Sequence, residues 1–318
     1  MTARSAWLHR PPRSASGACY PAGPNALAAA VNASTLTPPD ADLVARDVRR
    51  ALEEDVGKGD VTADLLAAGA RASARLRSRD AAVLCGRDWA QACFLTFDPL
   101  ARIHWHAQDG EHVAAGSVLC QVEGDARALV SAERTALNFL QTLSATATTT
   151  AAFVDAVRGT RAKILDTRKT IPGLRLAQKY AVRVGGGFNH RIGLFDAVLI
   201  KENHIAAAGS ISAAVSRARA LHPDLLIETE VENFQELREA LAAGADRIML
   251  DEFELHELGR AVAETAGRVP LEVSGSVSLD RVRAIAETGV DFISIGALTK
   301  HVRAIDLSMR IDIADRPA

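Results

Sequence analysis

Between Asp40 and Gly57, apolar side chains fall at Leu43, Val44, Val48, Leu52 and Val56. This is a helical spacing, with Asp40 placed to cap the helix and Gly57 to end it. The period then shortens. Ile103, Trp105 and Ala107 alternate with His104, His106 and Gln108, Asp109-Gly110 supplies a turn, and Val118 to Val122 with Ala128 to Val130 predict further short strands. Residues 39–130 therefore read as a small α+β domain. From Ser131 to Arg158 helical spacing returns through Leu137, Leu140 and Leu143, with Ser131 as the expected N-cap and Glu133 in the first turn. This helix joins the two halves of the chain.

Short apolar runs then recur at Lys163 to Leu165, Ala197 to Ile200, Leu225 to Ile227, Ile248 to Leu250, Leu271 to Val273 and Phe292 to Ile295. Their spacing is that of βα units. The clearest intervening helix is Phe234 to Ala243, opened by Asn233 and closed by Gly244. Ala243-Gly244-Ala245-Asp246 and Thr288-Gly289-Val290-Asp291 repeat one helix-to-strand join. Repeated βα units lead to an open doubly wound sheet or to a barrel, and six runs fall short of the eight of a full barrel. Residues 131–300 form this second domain.

Residues 1–38 contain Arg4, Arg10 and Arg13 but no acid, among Ala, Ser, Pro and Gly, a mixture that cannot bury a core and reads as a disordered tail. An organellar presequence has the same Arg-rich, acid-poor look, but Pro11, Pro12, Pro21 and Pro24 oppose the amphipathic helix such segments form. The whole chain, 318 residues and 48% hydrophobic, has material for one or two cores. Its 37 basic and 39 acidic residues leave a net charge of −2, which gives no general attraction for nucleic acid or an anionic membrane. No apolar run approaches the roughly 20 residues of a membrane span. Cys19, Cys85, Cys93 and Cys120 form no C-x-x-C pair and no disulfide framework, so a soluble protein of the reducing cytoplasm is expected.

Chemistry is suggested by what ends each apolar run: Asp166, Lys201, Glu228 and Glu230, Asp251, Ser274 with Gly275, and Gly296. In barrels and open α/β sheets, ligands bind where side chains converge at the C-terminal ends of the strands. Ordinary loop polarity explains one or two such residues, not a set at six ends. Residues 161–204 hold nine Lys or Arg against three acids, a local excess of six positive charges in a chain of net −2. This concentration suits an anionic small molecule. Arg175, Lys179 and Arg183, spaced at four, read as a solvated helix face, whereas Arg168, Lys169, Arg191 and Lys201 sit at loop starts or a strand end.

Glu230 and Asp251 suit Mg²⁺ bridging to a polyphosphate, or equally salt bridges to the lysines. His104, His106 and His112 could suggest a metal cluster, but they lie on the polar face of an alternating strand with no carboxylate pair beside them. The stretch from Asp109-Gly110 to Gly124-Asp125 lacks the lysine of a biotin or lipoate carrier. Neither a P-loop nor a strand-linked G-x-G-x-x-G is present, and Gly185-Gly186-Gly187 says only that the backbone there is free to take positive φ.

Glu133-Arg134-Thr135-Ala136-Leu137-Asn138-Phe139-Leu140, Asp166-Thr167-Arg168-Lys169-Thr170, Pro172-Gly173-Leu174-Arg175 and Lys179-Tyr180-Ala181-Val182 together resemble quinolinate phosphoribosyltransferase. So do Gly185-Gly186-Gly187-Phe188-Asn189-His190-Arg191, Leu199-Ile200-Lys201-Glu202-Asn203-His204-Ile205, Glu230-Val231-Glu232-Asn233, Ile248-Met249-Leu250-Asp251 and Gly296-Ala297-Leu298-Thr299-Lys300. The resemblance covers residues from about 40 to 318. It implies an N-terminal α+β open sandwich completed by residues from about 301 to 318, followed by an incomplete α/β barrel of about six parallel strands. It also implies a homodimer with shared active sites.

The activity so implied joins quinolinate to phosphoribosyl pyrophosphate and releases nicotinate mononucleotide, pyrophosphate and CO₂, in de novo NAD biosynthesis. By the same resemblance Arg134 comes from the partner subunit, and Thr167, Arg168, His190, Arg191 and Lys201 belong to substrate binding, the last four around the quinolinate carboxylates. Lys169, Glu230 and Asp251 hold phosphoribosyl pyrophosphate and its Mg²⁺, so that Lys169, Lys201, Glu230 and Asp251 are the implied catalytic residues. Ser274, Gly275 and Ser276 with Ile295, Gly296 and Ala297 surround the 5′-phosphate.

The chain departs from the common family pattern at Glu252, where Asn is usual, and at Ser276, where a second glycine is usual. Two other readings fit the same residues. One is a related phosphoribosyltransferase with another anionic acceptor, the other a non-catalytic sensor of phosphorylated sugars.

Overall fold

The computed structural model describes residues 39–313; the tail reading for residues 1–38 lies outside them, as do residues 314–318. Helix α1 (Ala41–Val56) begins where the Asp40 carboxylate accepts from Asp42 N at 3.0 Å and ends at Gly57. After a 3₁₀ turn (Ala63–Leu65) come β1 (Arg71–Ser78), β2 (Ala82–Val83), α2 (Arg87–Phe97), β3 (Arg102–Trp105), β4 (His112–Val113) and β5 (Val118–Asp125). The last strand, β12 (Leu307–Ile313), returns to pair antiparallel with β1, giving a sheet of order β12-β1-β5-β3, while β2 and β4 form a separate hairpin-like pair.

The long helix α3 (Ala126–Ala156) starts earlier than its sequence pattern suggests. Ala128 to Val130 are helical rather than a strand, and the N-cap is Asp125, whose carboxylate accepts from Ala128 N at 3.1 Å, rather than Ser131. Ser131 instead donates to Asp60 at 2.8 Å. Leu129, Leu137, Leu140 and Leu143 bury the first part of α3 in one core with Trp89 and Phe94, and Phe153 enters the core of the second domain. One rigid helix thus serves both cores.

The second domain contains β6 (Lys163–Leu165), α4 (Arg175–Val184), β7 (Val198–Ile200), α5 (Glu202–Ala208), α6 (Ile211–Leu221), β8 (Ile227–Val231) and α7 (Phe234–Ala243). It continues through β9 (Arg247–Asp251), α8 (Leu255–Thr265), β10 (Leu271–Ser274), α9 (Leu279–Glu287), β11 (Phe292–Ser294) and α10 (Ala297–Lys300). The six strands are all parallel, in the order β6-β11-β10-β9-β8-β7. This is an incomplete α/β barrel, with β6 and β7 as its unpaired edges. The segment linking α4 to β7 lies against one of those edges, where Phe188 makes a parallel bridge to Leu165.

The repeated join has one structural job. Asp246 N donates to Ile227 O at 2.8 Å and its carboxylate accepts from Ile227 N at 2.8 Å; Asp291 does the same with Leu271 at 3.0 and 2.9 Å. Each aspartate fixes the start of its strand against a neighbour, which sets the register that brings the other strand ends together.

Candidate active site

Strand alternation places Glu228 and Glu230 of β8 on one face, with Arg247, Met249 and Asp251 of β9 and Glu272 and Ser274 of β10 continuing it. Glu230, Asp251 and Ser274 form the upper layer at the strand ends. Glu230 is buried and ion-paired with Lys201, which lies just beyond β7 and is half exposed. Burial raises the Glu230 carboxyl above its usual range, the Lys201 ammonium opposes this, and the Asp251 and Glu202 carboxylates add to it. The Asp251 side chain makes no hydrogen bond or ion pair among the described residues. Two neighbouring carboxylates against one lysine leave negative charge and free oxygens, a donor set suited to a hard divalent cation.

The loop after β6 carries Thr167, Arg168 and Lys169. Thr167 Oγ1 accepts from Lys169 N at 3.0 Å, and the Lys169 carbonyl accepts from Thr299 Oγ1 at 2.8 Å. A Cβ added at Gly296 would stand 2.9 Å from Lys169 Cδ, so this loop and the one containing Ile295, Gly296 and Ala297 lie side by side. The Arg168 Nε is buried without a protein hydrogen-bond partner. Arg191, whose Nη1 donates to Ala197 O at 3.3 Å, has its pKa lowered by burial and then by the Arg168 guanidinium. Two arginines held near each other, one with a buried unsatisfied nitrogen, are an arrangement that an anion completes.

Lys179 and Arg175 do not lie on a solvated helix face, and only Arg183 of that trio is exposed. Lys179 is 2% exposed and pairs with the fully buried Asp166, whose carboxylate also accepts from Asn189 Nδ2 and His190 N. Burial pushes the Asp166 carboxyl up and the Lys179 ammonium down, each partner opposing the other's shift. Asp166 is therefore a structural post below the site and not a ligand-facing strand end. Arg175 donates to Thr170 Oγ1 at 3.2 Å and to Ile192 O at 3.2 Å, which ties the β6 loop to the Arg191 loop.

The glycine run has a sharper reason than freedom of φ. A Cβ at Gly185 would stand 2.4 Å from Ala147 O of α3, and one at Gly187 would stand 2.8 Å from Thr150 Cγ2. The backbone can lie on the helix only without side chains there.

Beneath the upper layer is a second polar group that includes Arg247 and Glu272, which the sequence reading passed over. Glu272 Oε2 accepts from Arg247 Nη1 at 3.0 Å, and His190 Nε2 stands 2.9 Å from Glu228 Oε2 and 3.5 Å from Glu272 Oε1. All four are buried. Burial and the Glu228 carboxylate push Glu272 up to about 7. The available signal was charge inside otherwise apolar strand runs, since such residues are buried only when paired.

Arg134 is exposed on α3, with no hydrogen bond or ion pair among the described residues. At the β9 end, Glu252 has φ 54°, a left-handed conformation in which Asn is at ease and Glu is not. Its carboxylate lies over Gly275, with Oε1 3.1 Å from where a Cβ would be. Ser274, Gly275 and Ser276 follow β10 at the same end of the barrel. His104 and His106 are exposed and meet edge to face, 4.7 Å between ring centroids. Among the described residues no helix is long and apolar enough to cross a membrane.

The family model for the C-terminal domain of quinolinate phosphoribosyl transferase matches residues 146–310, and that for its N-terminal domain matches residues 60–144. A nicotinate-nucleotide pyrophosphorylase [carboxylating] from Mycobacterium leprae (strain TN) is 44% identical over 276 residues, covering 83% of this chain and 96% of its own length. A probable enzyme of the same name from Bacillus subtilis (strain 168) is 39% identical over 263 residues, covering 82% and 91%. The solved nicotinate-nucleotide pyrophosphorylase from Francisella tularensis superposes with a TM-score of 0.85 at 48% identity, covering 88% of this chain and 99% of that one.

Proposed function

The chain belongs to the quinolinate phosphoribosyltransferase family, and from that premise we propose how its barrel mouth carries out the reaction. It is a nicotinate-nucleotide pyrophosphorylase (carboxylating) by activity: the phosphoribosyl group passes from phosphoribosyl pyrophosphate to quinolinate, and nicotinate mononucleotide, pyrophosphate and CO₂ leave.

The observation that carries the site assignment is the grouping of charge at the strand ends. Arg168 and Arg191 stand near each other, Glu230 stands near Asp251, and Lys201 is ion-paired with Glu230. The arginines and Lys201 receive the two quinolinate carboxylates, where planar guanidinium groups can each make two parallel bonds. Thr167 and Lys169 face phosphoribosyl pyrophosphate, and the loops at Ser274, Gly275 and Ser276 and at Ile295, Gly296 and Ala297 cradle its 5′-phosphate. Glu230 and Asp251 would hold Mg²⁺, which when bound neutralises charge on the departing pyrophosphate.

With the substrates so held, the pyridine nitrogen attacks the anomeric carbon as the bond from that carbon to the pyrophosphate oxygen breaks, and Lys169 stabilises the leaving oxygens. The positive pyridinium nitrogen stabilises the electron pair left on the neighbouring ring carbon when the adjacent carboxylate departs as CO₂, and that carbon takes a proton from solvent to give nicotinate mononucleotide. Arg191 and Lys201 hold the ring in place while this happens. The exposed Arg134, with no partner in its own chain among the described residues, completes the site of a second subunit in a homodimer. Three free, buried cysteines, Cys85, Cys93 and Cys120, suit a cytoplasmic protein.

Mixing quinolinate, phosphoribosyl pyrophosphate and Mg²⁺ with the protein tests this reading. Pyrophosphate and CO₂ should appear in equal amounts. Pyrophosphate without CO₂, or no turnover, would overturn it.

A further inference from the structure

The polar group beneath the site invites two readings. His190, Glu228 and Glu272 present a nitrogen and two carboxylate oxygens within 4.8 Å of one another, the composition of a metal site. The tautomer of His190 excludes this. Its Nδ1 accepts from Arg191 N at 2.7 Å, so the proton sits on Nε2, the atom that would have to bind the metal. A ligating histidine carries its proton on the other nitrogen and donates it outward. Nε2 instead stands 2.9 Å from Glu228 Oε2.

We propose that Glu228, Glu272 and Arg247 are positioning residues that act through His190 on Arg191. The inference rests on the reading above that Arg191 meets quinolinate. His190 is hydrogen-bonded at three points, its N to Asp166 at 2.9 Å, its O to Lys179 at 2.9 Å and Nδ1 to Arg191 N, and its Nε2 lies 2.9 Å from the Glu228 carboxylate. The ring works as a strut: the acids fix which nitrogen is protonated, and the unprotonated one fixes the Arg191 backbone.

Arg247 bonds Glu272 at 3.0 Å and stacks on Phe292 with 4.3 Å to the ring centroid. It offsets the charge that two adjacent buried acids would otherwise leave uncompensated. An apolar layer would stabilise a barrel at least as well. A buried charged layer directly under the histidine is therefore better explained by placement than by stability.

The test compares Glu228→Ala with Glu228→Gln, which keeps the side-chain volume and a polar oxygen beside Nε2. Dissociation constants are measured separately for quinolinate and for phosphoribosyl pyrophosphate with Mg²⁺, beside Arg191→Lys. Glu228→Ala should weaken quinolinate binding about tenfold while phosphoribosyl pyrophosphate stays within about twofold, and Glu228→Gln should restore most of the loss. Hydrogen exchange of the 185–197 segment should be faster in Glu228→Ala. Glu272→Gln, which keeps the side-chain volume, serves should the alanine variant not fold, and the same split is expected of it.

Equal weakening of both substrates would overturn the proposal, because it would mean disturbance of Glu230 or of the fold. Unchanged quinolinate affinity and exchange would overturn it also, provided Arg191→Lys does bind quinolinate more weakly. An Arg191→Lys variant with normal affinity would instead refute the assignment of Arg191 to quinolinate.

Discussion

Lys179 and Asp166 are ion-paired in the interior of the catalytic domain, the ammonium 2% exposed and the carboxylate not exposed at all. The remaining Asp166 bonds go to Asn189 and His190, and Lys179 also donates to the His190 carbonyl. The pair therefore connects the end of β6 and helix α4 to the segment that carries Arg191. Lys179→Ala leaves a buried carboxylate without its cation and should lower unfolding free energy by about 3–5 kcal/mol. Pairing it with Asp166→Asn should return part of that loss. Urea melts of the three variants check this, and a single variant within about 1 kcal/mol of wild type would contradict it.

Gly185 touches α3 so closely that a methyl group meets a backbone oxygen, which cannot rotate away. Gly185→Ala should destabilise by about 1–3 kcal/mol and weaken quinolinate binding, since the same segment carries His190 and Arg191. Gly186→Ala points its Cβ only to the Val154 side chain at 3.5 Å, and there the penalty should come from its φ of 85° alone. Thermal melts that rank Gly186→Ala as the worse for both stability and quinolinate affinity would refute the packing argument.

Glu252 holds a left-handed φ that disfavours a side chain of its kind. Glu252→Asn should raise stability by about 0.5–1 kcal/mol and lower the KM for phosphoribosyl pyrophosphate, because a carboxylate is removed from above Gly275. A KM that rises would show that Glu252 assists the substrate instead.

Much of this architecture was legible in the sequence, because six apolar runs with repeated Gly-x-Asp joins specify parallel strands, and those joins do fix the strand starts. Ala128 to Val130 was misread since three apolar residues fit a strand or a buried helix turn equally well; Asp125 as cap decides it. Lys179 was misread because spacing at four reports a helix face and not what packs on it. Arg247 and Glu272 were visible as charges within strands, but only folding shows that both meet beneath His190. Of its two sequence readings, Glu230 shows the salt bridge, made to Lys201, with the Asp251 carboxylate near it.

Arg134 of one chain should serve the barrel of another. Arg134→Ala and Lys201→Ala homodimers should each be nearly inactive, yet a reannealed equal mixture should regain roughly a quarter of wild-type activity, since random pairing makes about half heterodimers with one intact site each. No recovery despite confirmed heterodimers would place Arg134 outside a shared site.

The central claim is that the barrel mouth is divided, arginines holding quinolinate and carboxylates holding phosphoribosyl pyrophosphate through Mg²⁺. Equilibrium binding of each substrate to Arg168→Lys and to Asp251→Ala tests that division directly. Arg168→Lys should bind quinolinate about tenfold more weakly with phosphoribosyl pyrophosphate within about twofold of normal, and Asp251→Ala should show the reverse with a raised Mg²⁺ requirement. If both variants lose affinity for the same substrate, the division is wrong.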